Sequence, residues 1–215
     1  MNRDPRPTRR GRFAALTLLL ALACTAPTAS ASATPQALAR ALLDGGHVIY
    51  FRHAATEWSQ HDQVSGAGDW TSCDPEEMRQ LSAAGRDSAR AVGRAMRQLG
   101  IPVADVHSSP YCRCVETAEL LGLGPVETTL DLLNARAAEY VGGRDALRES
   151  ARRRLGTRPP AGANTVLVAH GNVFLLAAGE RPPEGGAAIV RPLGDGEFEL
   201  LGTIPAGTWP ELVER

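Results

Sequence analysis

Lysine is missing from this chain: all 23 basic residues are arginine, set against 24 acids over 215 residues. The absence excludes a P-loop lysine and any lysine Schiff base. The four cysteines have no histidines at zinc-finger spacing, and none of them is expected to be a catalytic nucleophile. No internal repeat and no second domain are visible. The longest apolar run, Phe13 to Ala23, is too short to span a bilayer comfortably.

That run has a context. Arg3, Arg6, Arg9, Arg10 and Arg12 precede it and the small residues Ala29-Ser30-Ala31-Ser32-Ala33 follow, the order of a secretory signal peptide. The expected organisation is a signal peptide over 1–33, cleaved after Ala31 or Ala33, and one α/β domain over 34–215, with a periplasmic or secreted destination. Arg9-Arg10 leaves a twin-arginine route open beside the general one, and Cys24 leaves lipidation open behind a poor lipobox. Without residues 1–33 the chain carries 18 arginines and 23 acids, a net charge of −5. No basic field is left for nucleic acid, so no nucleic-acid partner is expected. Three cysteines remain, Cys73, Cys112 and Cys114, and export favours pairing two of them.

Three short β-branched or aromatic runs read as buried strands: His47 to Phe51, Val103 to His107, and Thr165 to Ala169. Each ends in polar chemistry, namely Arg52-His53, Ser108-Ser109-Pro110 with Arg113, and His170-Gly171-Asn172. Helical patterns lie over Pro35 to Leu43, Ser82 to Leu99, Pro110 to Leu121 and Arg144 to Leu155, and Gly171 and Asn172 are expected to open a further helix. A short edge strand is expected at Val126 to Leu130. The C-terminal part is a hairpin, Ala187 to Arg191 and Phe198 to Ile204, turning at Gly194-Asp195-Gly196. In open α/β sheets ligands bind beyond the carboxyl ends of the strands. Two histidines and two arginines would meet there, a set suited to holding a phosphoryl group and attacking it. Ser59 to Glu77 is long, polar and placed directly after His53, which suggests a flap over that crevice.

Four ordered segments carry a resemblance to the histidine phosphatase superfamily, the phosphoglycerate mutase-like group. Arg52-His53-Ala54, with Thr56 and Trp58, resembles its Arg-His-Gly signature. Leu81-Ser82-Ala83-Ala84-Gly85, running on through Ala89 and Gly93, resembles the helix that follows. Ser108-Ser109-Pro110 with Arg113 and Thr117-Ala118-Glu119 resembles the second phosphate-binding segment, and Val168-Ala169-His170-Gly171-Asn172 the segment of the second histidine. The chain is most similar to small secreted bacterial members. The resemblance implies a three-layer α/β/α sandwich with a mostly parallel central sheet and an antiparallel C-terminal hairpin.

It also implies the chemistry: a metal-independent phosphomonoesterase, without cofactor, working through a phosphohistidine. His53 and His170 would be catalytic, and Arg52, Arg113, Thr56 and Asn172 would hold the phosphate. A disulfide from Cys73 to Cys112 is implied by the secreted relatives. Three positions depart from the pattern. Ala54 stands where the signature has glycine, Ala135 in Leu133-Asn134-Ala135-Arg136 where mutases have a glutamate proton donor, and Gly171 where the acid-phosphatase branch has aspartate. The general acid is therefore open between Glu139 and Asp62, with Glu139 the first candidate. A phosphate-binding protein without turnover and a phosphomutase stand as the alternatives. The expected partner is a small-molecule or envelope phosphomonoester. Of the other histidines, His61 in the flap is a candidate for touching substrate, whereas His47 and His107 read as structural.

Overall fold

Val48–Arg52 (β1) and Asn164–Ala169 (β4) are apolar almost from end to end because both of their faces are covered by the rest of the protein. The computed structural model describes Met1 and residues 33–214, so residues 2–32 of the expected signal peptide, Cys24 among them, lie outside the described residues. Six strands form one sheet in the order β3-β2-β4-β1-β5-β6. Here β2 is Val103–Ser108, β3 Val126–Thr128, β5 Ala187–Gly194 and β6 Glu197–Ile204. The pairs β1–β4, β2–β4 and β2–β3 are parallel, and β5 and β6 add the antiparallel hairpin. Its turn carries Gly194, Asp195 and Gly196 at φ of 102°, 51° and 79°, values that glycine and aspartate tolerate.

The helices are α1 (Pro35–Leu43), α2 (Ala83–Gln98), α3 (Cys112–Leu121), α4 (Arg144–Gly156), α5 (Gly171–Ala178) and α6 (Thr208–Val213). They pack in two groups, α1 and α2 around α6 with α3 against α2, and α4 against α5. The sandwich is the architecture expected from the sequence. Thr34 and Ser82 cap α1 and α2, their hydroxyls accepting from the backbone N–H of Ala37 and Gly85. Gly85 is needed there for a second reason: a Cβ would run into the carbonyl of Ala55, in the loop leaving β1.

Two expectations shift and one element is new. The helix after β2 begins at Cys112 rather than Pro110, because Ser109 and Tyr111 carry the chain across the sheet edge first. The edge strand stops at Thr128, where the chain turns into a short 3-10 turn at Leu130–Leu132. Helix α6, with Trp209 fully buried, has too little apolar periodicity to stand out in the sequence. Among the described residues no helix is long and apolar enough to cross a membrane.

Register places the site. Arg52 lies opposite Ala169, and Ser108 opposite Val168. The next residues, His53, Ser109 and His170, therefore leave three neighbouring parallel strands at one edge.

Candidate active site

At that edge a crevice of about 390 Å³ is lined by His53, His170, Asn134, Asn172, Trp58, one carboxylate and six arginines. The arginines are Arg52, Arg79, Arg113, Arg136, Arg144 and Arg181, and the carboxylate is Asp62. A larger groove of about 930 Å³ runs along the disulfide and α3, but it holds no histidine, and its Arg86 is paired with Glu116. Both strand-end histidines lie in the smaller one.

His53 is 3% exposed. Its Nδ1 lies 2.9 Å from the carbonyl oxygen of Ala54, which can only accept, so Nδ1 carries the proton and Nε2 the free lone pair. Burial and then Arg113 hold its pKa well below the usual value for histidine. The ring is thus neutral, with one nitrogen able to attack. Its loop is fixed on three sides: the His53 N–H donates to Ala169, the Ala54 N–H to Thr117 Oγ1, and the Gly185 N–H to the His53 carbonyl.

His170 packs edge-on to His53, with ring centroids 5.6 Å apart. The Arg136 N–H donates to Asn134 Oδ1, which turns the amide nitrogen of Asn134 toward His170 Nδ1 at 3.0 Å. Nδ1 must accept, so the proton sits on Nε2 and points to Ser109 Oγ at 2.9 Å. Burial, then Arg113 and His53, keep this ring neutral as well. Tyr50 donates from its hydroxyl to the His170 carbonyl, and Asn172 donates to Asn134. Asn134 and Ser109 are site residues that the sequence reading did not single out. Both stood inside quoted segments, but only the fold turns them onto the imidazole.

Arg113 is 1% exposed and holds Asp62 in a two-pronged pair at 2.8 and 3.0 Å. Its Nε has no partner. Arg52 is fixed by Glu184 at 2.9 Å and by the Pro182 carbonyl. Gly171 lets two arginine stems cross over the start of α5. A Cβ there would lie 2.9 Å from Arg181 Cγ and 3.0 Å from Arg52 Cδ. The departure from aspartate at this position is therefore matched by an arginine occupying the space.

The other sequence-stated residues divide. Trp58 and Asn172 line the crevice. Thr56 does not: it is buried in a bridge to Leu81, and its hydroxyl faces Glu184 at 3.5 Å, so it touches the partner of Arg52 instead of a phosphate. Glu139 is corrected too, because it sits exposed on the turn Ala135–Val141 and outside the lining, leaving Asp62 as the carboxylate in place. His61 is exposed and also outside the lining. His47 bonds the Gly45 carbonyl, and His107 faces Glu127 at 3.7 Å.

The segment after His53 is pinned down. Cys73 and Cys112 form a disulfide with Cα atoms 5.4 Å apart, Trp70 stacks on Tyr111, and the Arg79 N–H donates to Asp62. Cys73 and Arg79 do stand at the Cys-x5-Arg spacing of cysteine-dependent phosphatases. The bond to Cys112 leaves Cys73 without a thiolate, so it is no nucleophile of that type. Cys114 is free and buried against His170, and burial pushes its thiol up to about 12.

Comparison with known proteins follows the geometry. Residues 48–160 match the family model described as the histidine phosphatase superfamily, branch 1. Solved structures resembling this one include the protein histidine phosphatase SixA complexed with tungstate. It is 17% identical over 75% of this chain and 98% of that one, with a TM-score of 0.48. The Thermus thermophilus protein TTHB049 is 23% identical over 74% and 99%, with a TM-score of 0.49. The product of open reading frame Rv3214 from Mycobacterium tuberculosis is 19% identical over 72% and 95%, with a TM-score of 0.47. None of the curated proteins matches the sequence.

Proposed function

Because the chain belongs to the histidine phosphatase superfamily, we propose that it is an exported, metal-independent phosphomonoesterase acting through a phosphohistidine on His53. The observation that carries this reading is the bond from His53 Nδ1 to the Ala54 carbonyl, which leaves the Nε2 lone pair free in an arginine-lined crevice. Nε2 attacks phosphorus, the bond from phosphorus to the ester oxygen breaks, and that oxygen leaves with a proton. Water then gives a proton back to the acid as it attacks the phosphohistidine, and the P–N bond breaks, releasing orthophosphate and restoring the imidazole.

The charge that builds on the equatorial oxygens needs fixed positive partners. Arg113 and Arg52 supply planar forks already oriented by Asp62 and Glu184, a substitute for a divalent cation. The side chain of Asn172 adds a donor at the same edge, and the Nε2–H of His170 adds another once it turns from Ser109 Oγ to the phosphate. Asp62 is the proton donor in this reading. A phosphate dianion entering the fork of Arg113 displaces the carboxyl of Asp62, which then stands beside the leaving oxygen. The disulfide supports an oxidising destination, and the basic, apolar, small-residue leader supports export.

Phosphate release from aryl and sugar phosphates, with His53→Ala as control, tests the reading. Acid-labile phosphate on the wild type that is absent from the variant is the expected result. Binding of phosphate without any turnover would make this a phosphate-binding protein instead.

A further inference from the structure

The larger groove, about 930 Å³, has the Cys73–Cys112 disulfide in its wall. Cys73 is exposed and Cys112 partly so, which leaves the bond open to a thiolate entering the groove. Exposed disulfides are the ones that exchange. The place of Cys112 in the fold favours exchange as well. It is the first residue of α3, and Tyr111 before it offers no side-chain cap. A Cys112 thiolate would lie at that helix start, where the aligned backbone dipoles favour negative charge. The less basic thiolate leaves faster, so attack falls on Cys73 and Cys112 departs.

The same bond bears on the crevice. Residues 60–77 bond largely among themselves: the Gln63 N–H donates to the Glu77 carbonyl, the Ser65 and Gly66 N–H groups to the Asp69 carboxylate, and the Ser72 hydroxyl to Glu77. The fastenings from this segment to α3 and its cap are the disulfide, the stacking of Trp70 on Tyr111, and Asp62 in the fork of Arg113. A phosphate entering that fork undoes the last of them. One ring contact and the covalent bond then hold the segment against α3.

We infer that Cys73–Cys112 is a reducible switch on the crevice, opened from the groove by a protein dithiol that presents a basic surface. One thiolate of the dithiol bonds to the Cys73 sulfur, the Cys73–Cys112 bond breaks, and Cys112 leaves as a thiolate that takes up a proton. The second thiolate of the dithiol then attacks the sulfur joined to Cys73, forming the disulfide of the dithiol and freeing Cys73. This chain gains two electrons and two protons, and the dithiol loses them. The basic surface follows from the groove wall, where Glu57, Glu116 and Glu119 stand with a single arginine, Arg86, already paired to Glu116. Such a wall repels small anionic thiols and draws a cationic contact. Once the bond is open, an entering phosphate frees the segment bearing Asp62, and Arg79 beyond it, from the crevice. The effect on turnover rests on the phosphomonoesterase reading above; the exchange and the release do not.

Dithiothreitol is the probe. Reducing the wild type should lower kcat/KM about tenfold or more, the loss expected if about one molecule in ten keeps the segment docked. Oxidised dithiothreitol should restore it, and Cys73→Ser/Cys112→Ser should match the reduced form and ignore the reagent. Hydrogen exchange reads the switch without turnover. At the shortest exposures, uptake should rise across residues 60–79 on reduction while α2 and α4 stay protected. Unchanged uptake in that segment, a rise throughout the chain, or a loosened segment with unaltered kcat/KM would each overturn the switch. A segment that loosens in a protein releasing phosphate from no ester keeps the release and sinks the phosphomonoesterase reading alone. Rates of reduction test the surface: at equal thiolate concentration, cationic cysteamine should open the bond several times faster than anionic mercaptoethanesulfonate, and salt should narrow the gap. Equal rates would remove the basic partner.

Discussion

Asp62 and Arg113 meet through both oxygens of one and two nitrogens of the other, at 2.8 and 3.0 Å, with 11% and 1% of their side chains exposed. A carboxylate thus occupies the fork that an incoming phosphate needs. Replacing Asp62 should separate its two roles. Asp62→Asn is expected to lower turnover of alkyl phosphates by about 100-fold, within the range for losing a general acid. Aryl phosphates with good leaving groups should lose far less, because their oxygen needs no proton. A leaving-group series on both proteins decides it, and equal losses across the series would remove Asp62 as the donor. The same variant should bind orthophosphate more tightly, since a charged competitor has gone.

Arg113 should tolerate no substitute. Arg113→Lys keeps the charge but loses the planar fork, and kcat should drop by about 100-fold, the scale of one transition-state donor. Arg113→Ala also leaves Asp62 without its partner, so thermal unfolding should move down along with activity. A Glu139→Ala protein, by contrast, should match the wild type in kcat, since that carboxylate stands outside the crevice.

Acid should act on stability in a definite direction. His53 and His170 are both held well below the usual 6.5 by burial, with Arg113 the next cause. The unfolded chain therefore takes up these protons more readily than the folded one as pH falls below 6.5. Both histidines leave stability untouched above that value and reduce it below. Each contributes at most about 1.4 kcal/mol per pH unit until its folded pKa is reached. Imidazole resonances followed by NMR should stay in the neutral form well below pH 6.5. A midpoint near 6.5 for His53 would contradict the buried, arginine-flanked setting.

Opening the disulfide should loosen the site as well as the fold. It closes a loop with a sequence separation of 39, which in the chain-entropy treatment contributes on the order of 4 kcal/mol. Cys73→Ser should lower the melting temperature and raise KM, because the segment bearing Asp62 and Arg79 is tied through Cys112 to the start of α3. Peptide mapping without reductant should recover the Cys73–Cys112 peptide. Cys114 should resist alkylation until the protein unfolds, as its thiol is buried and pushed up to about 12.

Gly171 offers a local probe. Gly171→Ala places a methyl against the stems of Arg52 and Arg181, so both guanidinium groups must move. Turnover should fall about tenfold or more, as displacement of oriented groups by part of an ångström does, while the melting temperature changes little. Unchanged kcat/KM would mean that the stems shift without moving their charged ends.

The sequence by itself determined the strands, most helices and the order of the polar groups at strand ends. A doubly covered strand needs an unbroken apolar run, and a strand end next to a ligand needs the opposite, so Phe51-Arg52-His53 and Ala169-His170 announce both. It also showed where the family pattern was broken, at Ala54, Ala135 and Gly171. Tertiary structure alone decided what fills the space at Gly171 and which carboxylate enters the crevice. Arg181 reaches the space above Gly171 from ten residues downstream. Asp62, on a segment without periodicity, reaches Arg113 because a disulfide and the stacking of Trp70 on Tyr111 hold that segment in place. Thr56 and Glu139 were misread for the same reason: their distance from His53 and His170 in sequence says nothing of which way a loop turns. Neither tautomer was legible in residue order either. The proton on His53 is placed by a neighbouring carbonyl, and that on His170 by Asn134, 36 residues away. Local pattern determines which residues reach the sheet edge, and only packing between distant segments determines what each of them touches there.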